Sequence, residues 1–166
     1  IRARMITIAA EAHRTLCMGQ GEELDAARRD IPPAPARMLD IFRGKTSPAF
    51  GAALKIGAVA AGADAALCAV LDAFSDALGV AYQIRDDIAD YHAAGHDETP
   101  RPKLSLISSL AWESGAATPD DPAVFQKAAL LLEHYQNEAI RSLSVLRNAE
   151  LKSLLRRLAE RLLEPL

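Results

Sequence analysis

Residues 65–91 read AALCAVLDAFSDALGVAYQIRDDIADY. Leu67, Leu71, Phe74, Leu78, Ala81 and Ile88 recur at helical spacing along one side, on a helix that would be ~40 Å long. Gln83, Asp86, Asp87 and Asp90 stand at i, i+3, i+4 and i+7 and share a polar edge about 80° wide. The apolar stripe lies roughly opposite. Carboxylates ~6 Å apart repel by about 3 kcal/mol at an effective dielectric near 20. The last turns of a helix favour cations, and aspartate is a poor interior helix former. Three local preferences broken at one place mark a candidate functional site. A divalent cation relieves all three, and Mg²⁺ favours hard oxygen ligands together with water and phosphate. A solvated acidic face is the other reading of the same residues. Gly79 on the shared edge and the small apolar flanks point instead to packing around a cavity.

Outward from this segment the chain looks helical throughout. Its 166 residues suffice for one ordinary domain. Alanine and leucine, 33 and 22 residues, supply the apolar mass, while only eight residues are aromatic. That composition favours helix over strand. A helix is expected from Ile1 to about Arg28, through Met5, Ile8, Ala9, Ala12, Leu16 and Leu24. Three prolines within residues 32–35 end it. A short helix through Met38, Leu39, Ile41 and Phe42 should follow. Ser47-Pro48 then provides an N-cap and first position for another, running to about Ala61. Pro102 opens a helix to about Ser114. Asp121-Pro122 starts the first of two closing antiparallel helices, at roughly 122–146 and 149–163. The fold class is therefore an all-α helical bundle.

The charge balance excludes some partners. With 19 Lys and Arg against 22 Asp and Glu, there is no basic footprint for nucleic acid. No apolar run approaches the ~20 residues of a membrane span, and no leader pattern is present. Cys17 and Cys68 are expected as small buried residues in a reducing compartment. The chain opens at Ile1 in what already looks like mid-helix sequence, as a piece of something longer would.

Two further segments carry possible chemistry. Lys45-Thr46 offers a cation and a hydroxyl, a suitable phosphate contact, although surface Lys-Thr pairs are common. Gly19-Gln20-Gly21-Glu22-Glu23 places two glycines inside helical sequence, at ~1 kcal/mol each relative to alanine. Close helix packing or close approach of a ligand would account for them, and Gln20 and Glu23 share a face. His92 and His96 have i, i+4 spacing, but Gly95 between them argues against a metal pair. The last helix's Lys152, Arg156, Arg157 and Arg161 read as a solvated face.

Taken in order, Gly-Gln-x-x-Glu, Lys-Thr, and Phe74-x-x-x-Leu78-Gly79-x-x-Tyr82-Gln83-x-x-Asp86-Asp87-x-x-Asp90 resemble the C-terminal half of the trans-isoprenyl diphosphate synthases. Tyr135, Glu138-Ala139, Leu143 and Leu146 fit the same resemblance, which covers essentially the whole chain. It implies a bundle of the isoprenoid synthase type, in which Mg²⁺ ions hold an allylic diphosphate between two aspartate-rich helices. Isopentenyl diphosphate then attacks the ionised allyl group. By this resemblance Asp86 is a direct metal ligand, with Asp87 and Asp90 supporting it. Lys45 contacts the diphosphate, Thr46 and Gln83 line the reacting carbons, and Gln20 and Glu23 lie beside them. Lys103 and Arg101 are the remaining basic candidates for diphosphate contact, because the stretch after Asp90 lacks the family's Gly-Lys pattern. The resemblance also implies a cytoplasmic homodimer, and an N-terminal half with the first aspartate-rich motif that is absent from these residues. Alone, the chain should then be inactive. A non-catalytic subunit that binds and tunes an active partner is the alternative expectation.

Overall fold

The structure, a computed structural model, describes residues 1–94 and 104–164. Six helices account for most of them: α1 (Arg2–Ala27), α2 (Pro35–Ala60), α3 (Ala65–Ala94), α4 (Leu106–Ser114), α5 (Pro122–Ser142) and α6 (Ala149–Leu162). A single 3₁₀ turn, Leu143–Val145, joins the last two, and no strand occurs among the described residues. Each boundary has a local cause. Pro35 occupies the first turn of α2, and Gly115 ends α4 in the left-handed conformation at φ +65°. Asp121 caps α5 by accepting from Ala123 N at 2.9 Å, and Asn148 caps α6 through Leu151 N at 2.9 Å.

α3 is the axis of the bundle. Its lower half buries Leu71, Phe74 and Leu78 with Ala139, Leu143, Leu155 and Ala159 of the C-terminal elements. Its upper half buries Val80, Ile84 and Tyr91 with Met38, Phe42, Leu106, Ile107, Leu110 and Val124. Tyr135 of α5 packs against both clusters. By length and hydropathy α3 is also the one described helix that could span a bilayer, and half of the qualifying stretch is buried inside the protein. Its apolar side chains are the core of the bundle.

Three expectations need correction. Ser47-Pro48 does not begin a helix; α2 runs unbroken through it. The Ser47 hydroxyl donates to the Asp76 carbonyl at 2.9 Å instead of accepting as a cap, so a bond across the bundle replaces the one an N-cap would make. α4 starts at Leu106 with Ser105 as its N-cap, four residues beyond the start that Pro102 suggested; Pro102 itself lies outside the described residues. Cys17 is exposed, although Cys68 is buried as expected. On α1, Met5, Ile8, Ala12 and Leu16 are half-buried while Ala9 and Leu24 face solvent.

Two near-contacts of backbone fix how the first three helices lie together. A Cβ on Gly19 of α1 would stand 2.7 Å from the Gly44 carbonyl oxygen and 2.5 Å from Lys45 N of α2. A Cβ on Gly79 of α3 would stand 2.6 Å from Ser47 Cα. Backbone cannot yield as a flexible side chain can, so overpacking here should be costly. Gly19→Ala and Gly79→Ala are each expected to destabilise by about 1–3 kcal/mol or more in urea unfolding. Gly21, with nothing within 4 Å of its Cβ position, should gain up to about 1 kcal/mol as alanine. Similar losses at all three positions would contradict this packing.

Candidate active site

The close crossings set the positions of the chemistry-bearing side chains. Gln20 follows Gly19, Lys45 follows Gly44, Thr46 precedes Ser47, and Gln83 lies one helical turn beyond Gly79. Gln20 Nε2 donates to Glu23 Oε2 at 2.8 Å, and Lys45 Nζ donates to Glu23 Oε1 at 2.5 Å. The side chains of this ion pair are only 18% and 22% exposed, so water screens them weakly. The Lys45 ammonium also lies 5.4 Å from the centre of the Phe42 ring. The structure thus brings Gln20, Glu23 and Lys45 into one hydrogen-bonded group spanning α1 and α2. Thr46 and Gln83 are half-buried and form no hydrogen bond with other described residues. Lys103, together with Arg101 and His96, lies outside the described residues.

The three aspartates differ sharply in circumstance. Asp90 is exposed. Asp86 is paired with its neighbour Arg85, whose Nη2 lies 2.5 Å from Asp86 Oδ1. Arg85 in turn stacks over Tyr82 at 4.8 Å and donates to the Leu162 carbonyl at 2.6 Å, at the end of α6. Asp87 is deeply set, and its Oδ2 accepts from the backbone of Leu106 at 2.7 Å and Ile107 at 3.4 Å. Burial pushes the Asp87 carboxyl up to about 7. The bonds from Leu106 and Ile107 and the charge of Lys45 hold it down, while Asp90 raises it further. That electrostatic coupling places the α1–α2 group and the aspartate edge in one field.

Hard oxygen donors on adjacent helical turns suit Mg²⁺ by chemistry. Among the described residues, however, no three His, Cys, Asp or Glu side chains are grouped closely enough to hold an ion. Asp86 and Asp90 at i, i+4 could supply carboxylate ligands, with water and a phosphate completing the shell. A separate cleft of about 750 Å³ between α1, α2 and α3 is lined by Arg43, Ser47, Lys55, Asp72 and Asp76 among others, and by none of the residues expected to act.

Two arginines escaped the sequence reading. Arg85 sits inside the motif, between Gln83 and Asp86, where only its position hinted at a role. Arg43 links Asp40 at 2.9 Å and Asp76 at 3.0 Å and reaches Tyr135 Oη at 3.5 Å. Burial alone would lower its pKa, but Asp76 and Tyr135 outweigh that and the net direction is upward. Nothing in the spacing of Arg43, Asp76 and Tyr135 joins them; only the packing of α2, α3 and α5 does.

The class the structure defines is an all-α bundle that carries a Gln-x-x-Asp-Asp-x-x-Asp edge on α3 and a partly buried Lys–Glu pair between α1 and α2. Residues 1–101 match the polyprenyl synthetase family, and the chain belongs to it. The farnesyl diphosphate synthase of Escherichia coli (strain K12) is 36% identical over 76 residues, 45% of this chain and 25% of that protein. That of Buchnera aphidicola subsp. Acyrthosiphon pisum (strain APS) is 30% identical over 77 residues, 46% of this chain and 27% of its own length. Among solved structures, a geranylgeranyl pyrophosphate synthetase from the archaeon Geoglobus acetivorans superposes with a TM-score of 0.86 at 24% identity, covering 98% of this chain and 57% of that one. A decaprenyl diphosphate synthase from Rhodobacter capsulatus gives 0.73 at 25% identity, covering 98% and 59%. The fold is that of the isoprenoid synthase bundles, and the chain spans little more than half the length of these structures.

Asp87 has a consequence for stability. The folded state holds its proton up to pH about 7, whereas an unfolded aspartate releases it near 3.8. Between these values the folded state binds more protons, so this group's contribution to stability is full below about 3.8 and is lost as pH rises through 7. Asp87→Asn keeps an acceptor oxygen but cannot titrate. Measured by urea unfolding from about pH 4 to 8, the wild type should lose stability relative to Asp87→Asn across the window. Parallel curves would contradict the raised pKa.

Proposed function

We propose that the protein of which these residues form part is a Mg²⁺-dependent trans-prenyltransferase that joins an allylic isoprenyl diphosphate to isopentenyl diphosphate. The observation that carries the reading is the placement of Lys45, buried against Glu23 and electrostatically coupled to Asp87, beside the aspartate edge of α3. In the reaction the C–O bond of the allylic diphosphate breaks and the isopentenyl double bond forms the new C–C bond. A proton is then lost and diphosphate departs. Lys45 binds a phosphate oxygen, and Glu23 with Gln20 holds its ammonium in place. Gln83 and Thr46, half-buried and without other partners, orient the allyl group. Asp86 and Asp90 would hold the metal, which would supply charge stabilisation for the departing diphosphate. The two unpaired-chain cysteines support a reducing, cytoplasmic setting. The exposed apolar residues Ile6 and Leu24, which share one side of α1, support a homodimer or other covering of that face.

A second reading has its own support. Asp86 is neutralised by Arg85 and Asp87 is engaged by α4, as would suit a non-catalytic subunit that tunes an active partner. Activity separates the two. The complete protein, given an allylic diphosphate, isopentenyl diphosphate and Mg²⁺, is expected to release diphosphate and form a longer prenyl chain. Asp86→Ala and Lys45→Ala should each lower kcat/KM by about 10²-fold or more. Residues 1–166 assayed alone should form no product. An unchanged rate in Asp86→Ala would refute the enzymatic reading, and wild-type inactivity restored only by a partner would favour the second.

A further inference from the structure

The first three helical residues of α4, Leu106, Ile107 and Ser108, each have a partner for their backbone donor. Ser108 N donates to Ser105 Oγ at 2.9 Å, and Ser109 N makes the first bond of the helix, to Ser105 O, at 3.0 Å. The two donors left over, Leu106 N and Ile107 N, both point at Asp87 Oδ2 of α3. Leu106 and Ile107 are themselves fully buried, in the cluster that also holds Val80, Ile84 and Met38. Without the carboxylate, two donors at this buried helix end would lose their protein acceptor. Asp86 points the other way along the edge, to Arg85, and Asp90 stands in solvent.

We propose that Asp87 is a positioning residue that fastens α4 to the aspartate edge of α3, and that the metal-facing carboxylates of the motif are Asp86 and Asp90. Two aspartates adjacent in sequence thus do different things. A helical step of 100° turns one toward the neighbouring helix and leaves the other on the open edge. The buried end of α4 accounts for an acceptor at position 87 without any metal. By holding α4, Asp87 also holds Leu106 and Ile107 against Ile84, and so fixes the turn of α3 that carries Asp86. The part of this proposal that concerns metal rests on the prenyl-transfer reading above; the part that concerns α4 does not.

Amide hydrogen exchange and Mn²⁺ titration in the presence of inorganic diphosphate test the two parts on the complete protein. In Asp87→Ala, exchange at Leu106 and Ile107 should accelerate about 10- to 100-fold, the loss expected when buried donors are left without their acceptor. Amides in the middle of α5 should stay protected. Asp87→Asn, which retains an acceptor oxygen, should restore protection to within about threefold. Mn²⁺ affinity should fall at least about tenfold in Asp86→Asn and change by less than about threefold in Asp87→Asn. Unaltered exchange in Asp87→Ala would overturn the hold on α4. Equal losses of Mn²⁺ affinity in the two asparagine variants, or release of Leu106 and Ile107 when wild type takes up Mn²⁺, would make Asp87 a ligand and overturn the division of roles. A wild type that binds no Mn²⁺ overturns the metal assignment together with the prenyl-transfer reading, while exchange at α4 still decides the role of Asp87.

Discussion

The structure depends on two places where helix backbones touch. At Gly19 against Gly44 no side chain separates one helix from the next, and at Gly79 only the small Ser47 side chain lies beside the facing backbone. Such contacts bring axes closer than leucine or alanine would permit, and they fix rotation as well as distance, because only one residue on each helix fits. Gln20, Glu23, Lys45, Thr46 and Gln83 each lie within about one helical turn of a crossing, whereas Arg85 and the aspartates lie further along α3. The sequence therefore bears the cost of glycine in helix interiors in return for register between three helices.

Electrostatics explains how a cluster of acids persists at the end of α3. Each carboxylate is relieved differently: Asp86 by Arg85, Asp87 by two peptide N–H groups and burial, Asp90 by solvent. The repulsion estimated from spacing alone is thus removed locally before any ion arrives. A metal must compete with Arg85 for Asp86, and Arg85 is itself anchored to the end of α6. A metal held at Asp86 would thus be linked to the docking of the last helix through one guanidinium.

The helical class, the element order and most boundaries were legible because they are local. Proline punctuation, the cap at Asp121, and the apolar period of α3 all act within a few residues. Ser47-Pro48 misled for the same reason: a sound N-cap signal was overridden by the bond from Ser47 to Asp76, far away in the chain. The group of Gln20, Glu23 and Lys45 was anticipated through family resemblance, since nothing in their spacing joins α1 to α2. The bonds from Leu106 and Ile107 to Asp87 were not legible, because a helix face can be counted from sequence whereas the helix end that meets it cannot. Arg43 and Arg85 were missed because a single arginine carries no period.

The central claim is that α1 and α3 contribute to one diphosphate and metal site. The protein has four glutamines, Gln20, Gln83, Gln126 and Gln136; the claim assigns the first two to that site, and the others lie on α5. With glutamine side chains labelled by ¹⁵N, addition of Mn²⁺ and inorganic diphosphate to the complete protein should broaden the amide signals of Gln20 and Gln83 together. Those of Gln126 and Gln136 should remain sharp. Broadening of Gln83 without Gln20 would show that the two helices do not share a site.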